Sequence, residues 1–371
     1  MAANNPTYNK EDIQILKGFG ILIIVLHNYC HWLPGYEIEN EFHFSISNIQ
    51  HLFSEQFSSL SEFIKLNFAF WGHFGVELFI FASGYGLAQH QVKLKLKSYV
   101  QYLIPRLAKL YLLLILGMAI VSLARYINDG TIYSWKTIAL SFLMRASTYA
   151  NFRSSTLFDF SGPFWYFGLA AQLYVIYPFC FYSLNNKVNS IKAQLLVLAI
   201  ILLINSLAFP YFEQHGLAYF GNFMGHLPEF LLGIILANKK RAFKFNIWST
   251  LIFAFISLAT QYFEFLFPLS FTAVCLFLLS AYDTKHAILN ALPFAKKIFI
   301  FLGKISMNIF IINGVLREMS WFRNIDGDLV FGKIWLFIPV LMLISYITNL
   351  LFNFLWKYLR RWINLILLRL H

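Results

Sequence analysis

Residues 16–33 read LKGFGILIIVLHNYCHWL, an apolar run that is interrupted by very few polar side chains. About 20 apolar residues are enough for a helix to cross the hydrocarbon core of a bilayer. The run is long and no small-residue cleavage pattern follows it, so we expect a retained first membrane span and not a signal peptide.

The rest of the chain has the same character. Of its 371 residues, 59% are hydrophobic and only 12% are charged, whereas soluble domains carry about 25% charged residues. This composition excludes a soluble enzyme, a disordered chain and a fibrous repeat. The net charge of +12 fits the positive-inside bias of membrane proteins, so we expect no nucleic-acid partner.

The apolar runs predict an all-α, polytopic membrane protein with about ten transmembrane helices in a single domain, residues 1–371. We expect spans near residues 13–33, 68–88, 107–127, 163–184, 191–212, 217–238, 245–262, 263–281, 298–317 and 333–356. Residues 135–143 have the pattern of a short amphipathic helix that lies at the membrane surface.

The charge pattern predicts the orientation of these spans. Basic pairs such as Lys296–Lys297 and Arg360–Arg361 fall in loops on one side, which the positive-inside rule assigns to the cytoplasm together with the N- and C-termini. Acidic residues gather in the first outside loop, at Glu37, Glu39, Glu41, Glu55 and Glu62.

Ionisable side chains inside apolar spans are candidates for function, because each is costly in a bilayer unless it is paired or faces a cavity. His27 follows an unbroken apolar run, and His73 and Glu77 are four residues apart on one helix face. A meeting of these two helices would form an imidazole–carboxylate cluster that is suited to general-base chemistry. His31, next to Trp32, is expected to be an interfacial anchor. For His226 and Glu229, helix–helix hydrogen bonding and function are equally open.

Five blocks, in order, resemble the membrane acyltransferase family 3, integral-membrane enzymes that acylate surface sugars. The blocks are residues 16–27 (LKGFGILIIVLH), 75–84 (GVELFIFASG), 106–111 (RLAKLY), 164–178 (FWYFGLAAQLYVIYP) and 302–313 (LGKISMNIFIIN). A smaller block, residues 227–233 (LPEFLLG), also fits. Glu77 stands where the family has an aspartate, and Asn313 stands where it has a histidine.

The resemblance implies an acyltransferase that uses acetyl-CoA, or another short acyl-CoA, and no metal. It implies a glycan acceptor, either a polysaccharide or a lipid-linked sugar, and a place in a bacterial inner membrane. His27 would be the general base, Glu77 would orient it, and His73 would be the competing base. Coenzyme A phosphates would meet Arg106, Lys109, Lys17 and Lys304. The sugar would contact Trp165, Tyr166, Gln172 and Asn313.

Two other classes of function remain open on the sequence. One is a proton-coupled or polyisoprenoid-linked glycan transporter, because ionisable groups near the midplane would serve proton relay equally well. The other is a non-catalytic scaffold of a polysaccharide machine, which the buried polar residues disfavour.

Overall fold

The computed structural model describes residues 7–89, 95–144, 160–188, 190–238 and 245–369, and these are mostly helical. Within these ranges the only β-type pairing is one isolated bridge, between Arg323 and Leu329. The helices are α1 (Lys10–Cys30), α2 (Ile46–Glu55), α3 (Leu60–Trp71), α4 (Gly75–Ala88), α5 (Leu96–Asp129), α6 (Trp135–Phe142), α7 (Trp165–Tyr182), α8 (Ile191–Gln214), α9 (Phe223–Asn238), α10 (Ile247–Ala259), α11 (Phe267–Ala291), α12 (Pro293–Glu318) and α13 (Ile334–Arg369).

Every predicted span coincides with a helix. Seven of the described helices, namely α1, α5, α7, α8, α11, α12 and α13, are long and apolar enough to cross a membrane, and α9 and α10 are shorter apolar helices. The second predicted span, near residues 68–88, contains the end of α3, a 3-10 turn at Gly72–Phe74 and α4. The all-α membrane architecture with about ten spans is therefore confirmed, and α6 forms where an amphipathic helix was predicted.

The described helices form two compact units. Unit one contains residues 1–91 and 180–306, and unit two contains residues 92–179 and 307–371. The two boundaries fall inside α7 and α12. His27, His73 and Glu77 belong to unit one, and Arg106, Trp165 and Asn313 belong to unit two.

Helices α4 and α9 pack closely at the centre of unit one. A side chain at Gly84 would collide with the carbonyl of Phe230, and one at Gly233 would collide with the carbonyl of Phe81. Small residues at such crossings let the two backbones approach each other, as is usual in membrane bundles. The hydroxyl of Tyr85 on α4 also bonds the backbone of Tyr8, which ties the start of the chain to this core.

Unit two is built on the long helices α5 and α13. At one end of α5, Arg125 forms an ion pair of 2.5 Å with Glu318 at the end of α12. Within the bundle, the amide of Asn308 donates to the side-chain oxygen of Asn349 over 3.3 Å. These polar contacts join α12 to its neighbours between apolar layers.

Candidate functional site

His27 lies in the last turn of α1 and its side chain is buried. Its Nδ1 lies 3.2 Å from the carbonyl oxygen of Phe68 and 3.1 Å from that of Ala69, both on α3. A carbonyl only accepts hydrogen bonds, so Nδ1 must carry the proton. In the neutral ring the lone pair therefore lies on Nε2, which is the nitrogen available for proton transfer.

A glycine makes this approach of α1 and α3 possible. A side chain at Gly72 would collide with Cβ of His27. The absence of a side chain at Gly72 lets the imidazole lie against the backbone at the end of α3, where the two carbonyls hold its orientation.

The carboxylate beside His27 is Glu39, which lies in the loop after α1. Its Oε2 is 2.9 Å from His27 Nε2, and its Oε1 is 3.3 Å from Nε2 of His31. The rings of His27 and His31 stack with centroids 5.4 Å apart. His31, for which the sequence favoured interfacial anchoring, is thus in contact with the site. We call His27, His31, Glu39, Glu41 and His73 the His27 site.

A buried asparagine holds the loop that carries Glu39. Asn40 is fully buried, and its amide donates to the carbonyl of Ser45 (3.2 Å) and to Oε1 of Gln261 (3.3 Å). Its Oδ1 accepts from the backbone N–H of Ser45 and from Asn48, which also donates to the carbonyl of Glu39. Asn40 and Asn48 therefore determine where the Glu39 carboxylate lies.

The two loop carboxylates of the site titrate differently. Burial by itself raises the pKa of Glu39, but its contact with His27 and the nearby imidazoles of His31 and His73 lower the pKa to about 2. Burial, together with the charges of Glu39 and Glu77, raises the pKa of Glu41 well above its usual value. The site thus pairs an ionised Glu39 with a carboxyl group at Glu41 that is easily protonated.

His73 lies beside His27, as the sequence predicted. It is buried, and the centroids of the two rings are 5.5 Å apart. Neither ring nitrogen of His73 has a side-chain hydrogen-bond partner among the described residues. His73 therefore lies against the ring of His27, while Nε2 of His27 is the nitrogen that faces a carboxylate.

Glu77 is not placed at His27, contrary to the arrangement expected from the sequence. It is buried and its Oε2 lies 3.3 Å from Nδ1 of His226 on α9. Glu229, one turn further along α9, accepts a hydrogen bond from the hydroxyl of Thr272. We call Glu77, His226, Glu229 and Thr272 the Glu77 cluster. Glu39 rather than Glu77 is thus the carboxylate that contacts His27.

Two groups of side chains in unit one have the chemistry of metal ligands. One is His27, Glu39 and Glu41, and the other is Glu77, His226 and Glu229; within each group the ligand atoms lie within 4.8 Å of one another. They differ in the distance between imidazole and carboxylate, which is 2.9 Å at His27 and 3.3 Å at His226. In both groups an imidazole nitrogen thus lies close to a carboxylate oxygen.

An apolar groove of about 520 Å³ runs along α1 next to the His27 site. Its walls come from α1, α2, α3, α10 and α11, and they include Phe19, Ile23, Trp71, Gly72, Ala254 and Phe277. Phe19, Ile23 and His27 are spaced four residues apart and share one face of α1. Gly72 borders both the groove and His27. We call this space the lateral groove.

The predicted sugar-binding residues lie in unit two. Trp165 and Tyr166 are buried at the start of α7, with ring centroids 6.0 Å apart. Asn313 on α12 is buried, and neither its amide nitrogen nor its amide oxygen has a hydrogen-bond partner among the described residues. Gln172 is half-buried on α7. The unsatisfied amide of Asn313 is the feature here that most resembles a polar binding position.

The predicted phosphate ligands divide between the two units. In unit two, Arg106 donates from Nη1 to the carbonyl of Tyr102 (2.8 Å) and lies over its ring (4.1 Å), with Lys109 one turn away on α5. In unit one, the backbones of α1 and α12 meet at Gly18 and Gly303. Lys17 directly precedes Gly18 and Lys304 directly follows Gly303, so both lysines lie near this crossing of α1 and α12.

The sequence reading missed Glu39 and Glu41 as site residues. Both lie in a polar segment rich in glutamate, which the charge pattern explained as the outside loop. Their spacing from His27 has no helical period, because the chain between them is a loop. The one available signal was the concentration of carboxylates directly after a span that ends in two histidines.

Comparison with known proteins identifies the family of this helical membrane protein. Residues 10–354 match the family described as Acyltransferase domain, the membrane acyltransferase family 3. The match covers nearly the whole chain, and the chain therefore belongs to this family. The protein is an integral membrane acyltransferase. No curated protein and no solved structure matches the chain.

Proposed function

We propose that this enzyme moves a short acyl group such as acetyl from acyl-CoA to a hydroxyl of a cell-surface or lipid-linked glycan, with His27 as the general base. The observation that carries the proposal is the orientation of His27. Two backbone carbonyls hold its Nδ1–H, and its Nε2 lies 2.9 Å from Glu39. The backbone carbonyls fix Nδ1–H, and Nε2, which faces the Glu39 carboxylate, is the nitrogen on which a proton can be taken up and returned.

In the proposed reaction, His27 takes up one proton and then returns it. The acceptor hydroxyl gives its proton to Nε2 of His27 while its oxygen attacks the carbonyl carbon of the thioester. The carbon–sulfur bond then breaks, and the coenzyme A thiolate takes the proton back from Nε2. Glu39 stabilises the positive charge on the ring between these two steps. His73 is the competing base. Glu77 contacts His226 instead of His27, so it takes no direct part in this proton transfer.

We further propose that coenzyme A is bound by cations near the helix ends that the charge pattern assigns to the cytoplasm. Arg106 offers a planar fork for phosphate, held by Tyr102, and Lys109, Lys17 and Lys304 act as point charges. The aromatic rings of Trp165 and Tyr166 would stack on the sugar, and Gln172 and Asn313 would hydrogen-bond its hydroxyls. This role suits Asn313, whose buried amide has no hydrogen-bond partner among the described residues.

The lateral groove favours a lipid-linked acceptor over a free polysaccharide. Its volume of about 520 Å³ lies within the range of ligand pockets, and its lining is apolar except for Gln56, Asn67 and Ser257. It borders His27 through Gly72, so a hydrocarbon chain in the groove would bring its headgroup to the His27 site.

The first experiment measures acetyl-CoA binding by thermal shift and acyl transfer by coenzyme A release, for the purified protein and its His27→Ala and Arg106→Ala variants. A ligand that binds only the folded state raises stability by RT ln(1 + [L]/Kd), about 2.7 kcal/mol at 100 Kd. We expect His27→Ala to bind acetyl-CoA and to lose about 10²- to 10⁴-fold in rate. Arg106→Ala should weaken binding.

His43→Ala is the matched control, because His43 is an exposed histidine paired with Glu213 at 3.2 Å. Its rate should equal that of the wild type. Full activity in His27→Ala would refute the base assignment, and the absence of binding by any acyl-CoA would refute the donor.

A further inference from the structure

The Glu77 cluster has three potential metal ligands in an apolar interior. His226 and Glu229 lie one turn apart on α9, and Glu77 faces them from α4. All three are buried, with 0–2% of the residue surface exposed. The surroundings are aromatic, and the ring of Phe271 lies 5.8 Å from that of His226. Two carboxylates and one imidazole thus share a space from which water is largely excluded.

The orientation of His226 prepares its Nδ1 to be a ligand. Nε2 lies 2.9 Å from the carbonyl oxygen of Phe220, so Nε2 carries a proton. Nδ1 lies 3.3 Å from Oε2 of Glu77, and once a binding metal has displaced the proton of Nδ1 its lone pair is available as a ligand. Histidines that bind metals commonly donate their other N–H to a backbone carbonyl in this way.

The distance between His226 and Glu77 fits two ligands of one ion. At 3.3 Å it is longer than the roughly 2.7–2.9 Å of a charge-assisted N–H···O hydrogen bond. Two ligands about 2.0–2.1 Å from a tetrahedral zinc ion are about 3.3 Å apart.

Glu229 provides a second, independent indication. Its Oε2 is buried and has no hydrogen-bond partner among the described residues, while its Oε1 accepts from the hydroxyl of Thr272. A buried carboxylate oxygen without a partner is costly. A divalent cation would satisfy this oxygen and balance the two carboxylate charges, and Thr272 would orient the ligand from outside.

We propose that Glu77, His226 and Glu229 bind a divalent transition-metal ion, zinc in the first instance, which ties α4 to α9. Mixed imidazole and carboxylate ligands suit this class of ion. The family resemblance implied no metal, and Glu77 and His226, which are 149 positions apart, form no sequence motif for one. The three ligands are different residues from His27, Glu39 and Glu41, and the metal site does not depend on the proposed reaction.

The test measures bound metal by mass spectrometry of the full-length protein, purified without chelators, and after zinc is added and excess removed. The variants are Glu229→Gln and Thr272→Val, both close in shape to the native residue. We expect about one zinc per chain in the wild type, loss of that zinc in Glu229→Gln, and about 10- to 100-fold weaker binding in Thr272→Val. Chelation should lower the melting temperature of the wild type more than that of Glu229→Gln.

The matched control is Glu41→Gln, which removes a carboxylate from the other group of potential ligands. It should retain the zinc. Zinc lost in Glu41→Gln but kept in Glu229→Gln would overturn the assignment. So would a wild-type protein that binds no zinc on titration, in which case Glu229 carries a proton instead. The cobalt-substituted protein gives a further readout, because its visible absorption reports the ligand geometry even in a variant with lowered stability.

Discussion

Replacing Glu39 with glutamine removes the negative charge beside His27 while the shape of the side chain is kept. The contact between Nε2 and Oε2 is 2.9 Å, and 24% of the Glu39 side chain is exposed. With charge centres roughly 4 Å apart and an effective dielectric constant near 20, the carboxylate stabilises an imidazolium by about 4 kcal/mol. Partial exposure and solvent screening reduce this to about 1–2 kcal/mol, which corresponds to a loss of about 5- to 30-fold in rate.

The assay for Glu39→Gln is the initial rate of coenzyme A release in the presence of acceptor, with the protein in lipid nanodiscs. Acetyl-CoA binding by thermal shift should be unchanged, because the variant alters the proton-transfer partner and not the donor site. Glu62→Gln is the control, since Glu62 is a carboxylate of the same outer segment that pairs with Tyr36 and Lys65. Equal rates in Glu39→Gln and Glu62→Gln would refute the role of Glu39 at His27.

Three further predictions concern the same region. Asn40→Ala should lower the free energy of unfolding by about 1–3 kcal/mol, seen as a lower melting temperature, and should also lower the rate of acyl transfer. In a Glu39→Gln background the same substitution should no longer affect the rate, which a double-mutant cycle would test. Burial raises the pKa of Glu39 but the imidazoles lower it to about 2, so its stabilising contribution is complete above its unfolded pKa of about 4.3 and lost as the pH falls towards 2. The difference in melting temperature between the wild type and Glu39→Gln should therefore be constant near neutral pH and shrink below about pH 4. Ala254→Trp should fill the lateral groove and raise KM for a lipid-linked acceptor, whereas Leu251→Trp, on the exposed side of α10, should leave KM unchanged; equal KM values would contradict the role of the groove.

The helices and their number could be predicted from the sequence, because a bilayer imposes a length of about 20 apolar residues on each span. The predicted boundary near residue 262 agrees with the structure, although only Glu264 and Pro268 interrupt the apolar stretch there. Helix α10 ends at Ala259 and α11 begins at Phe267. Individual histidines were also recognisable. His27 was predicted because an ionisable residue in an apolar run is rare and costly.

The pairing of these residues could not be predicted in the same way. Helical periodicity places His73 and Glu77 on one face, but the turn at Gly72–Phe74 separates them, so that His73 borders His27 while Glu77 faces His226. The loop that carries Glu39 has no period at all. Its position depends on the hydrogen bonds of Asn40 with Ser45, Asn48 and Gln261, which is 221 positions away.

The sequence by itself determined that this chain is a helical membrane protein with ionisable side chains inside its apolar segments. Hydrophobicity and charge are properties of single residues, so they can be read along the chain. Only the tertiary structure decided which carboxylate contacts which histidine. Those contacts depend on close backbone approaches, such as Gly72 against His27 and Gly84 against Phe230, between segments far apart in the chain. A choice among several glutamates rests on differences of a few ångströms, and such distances arise only when the helices are packed.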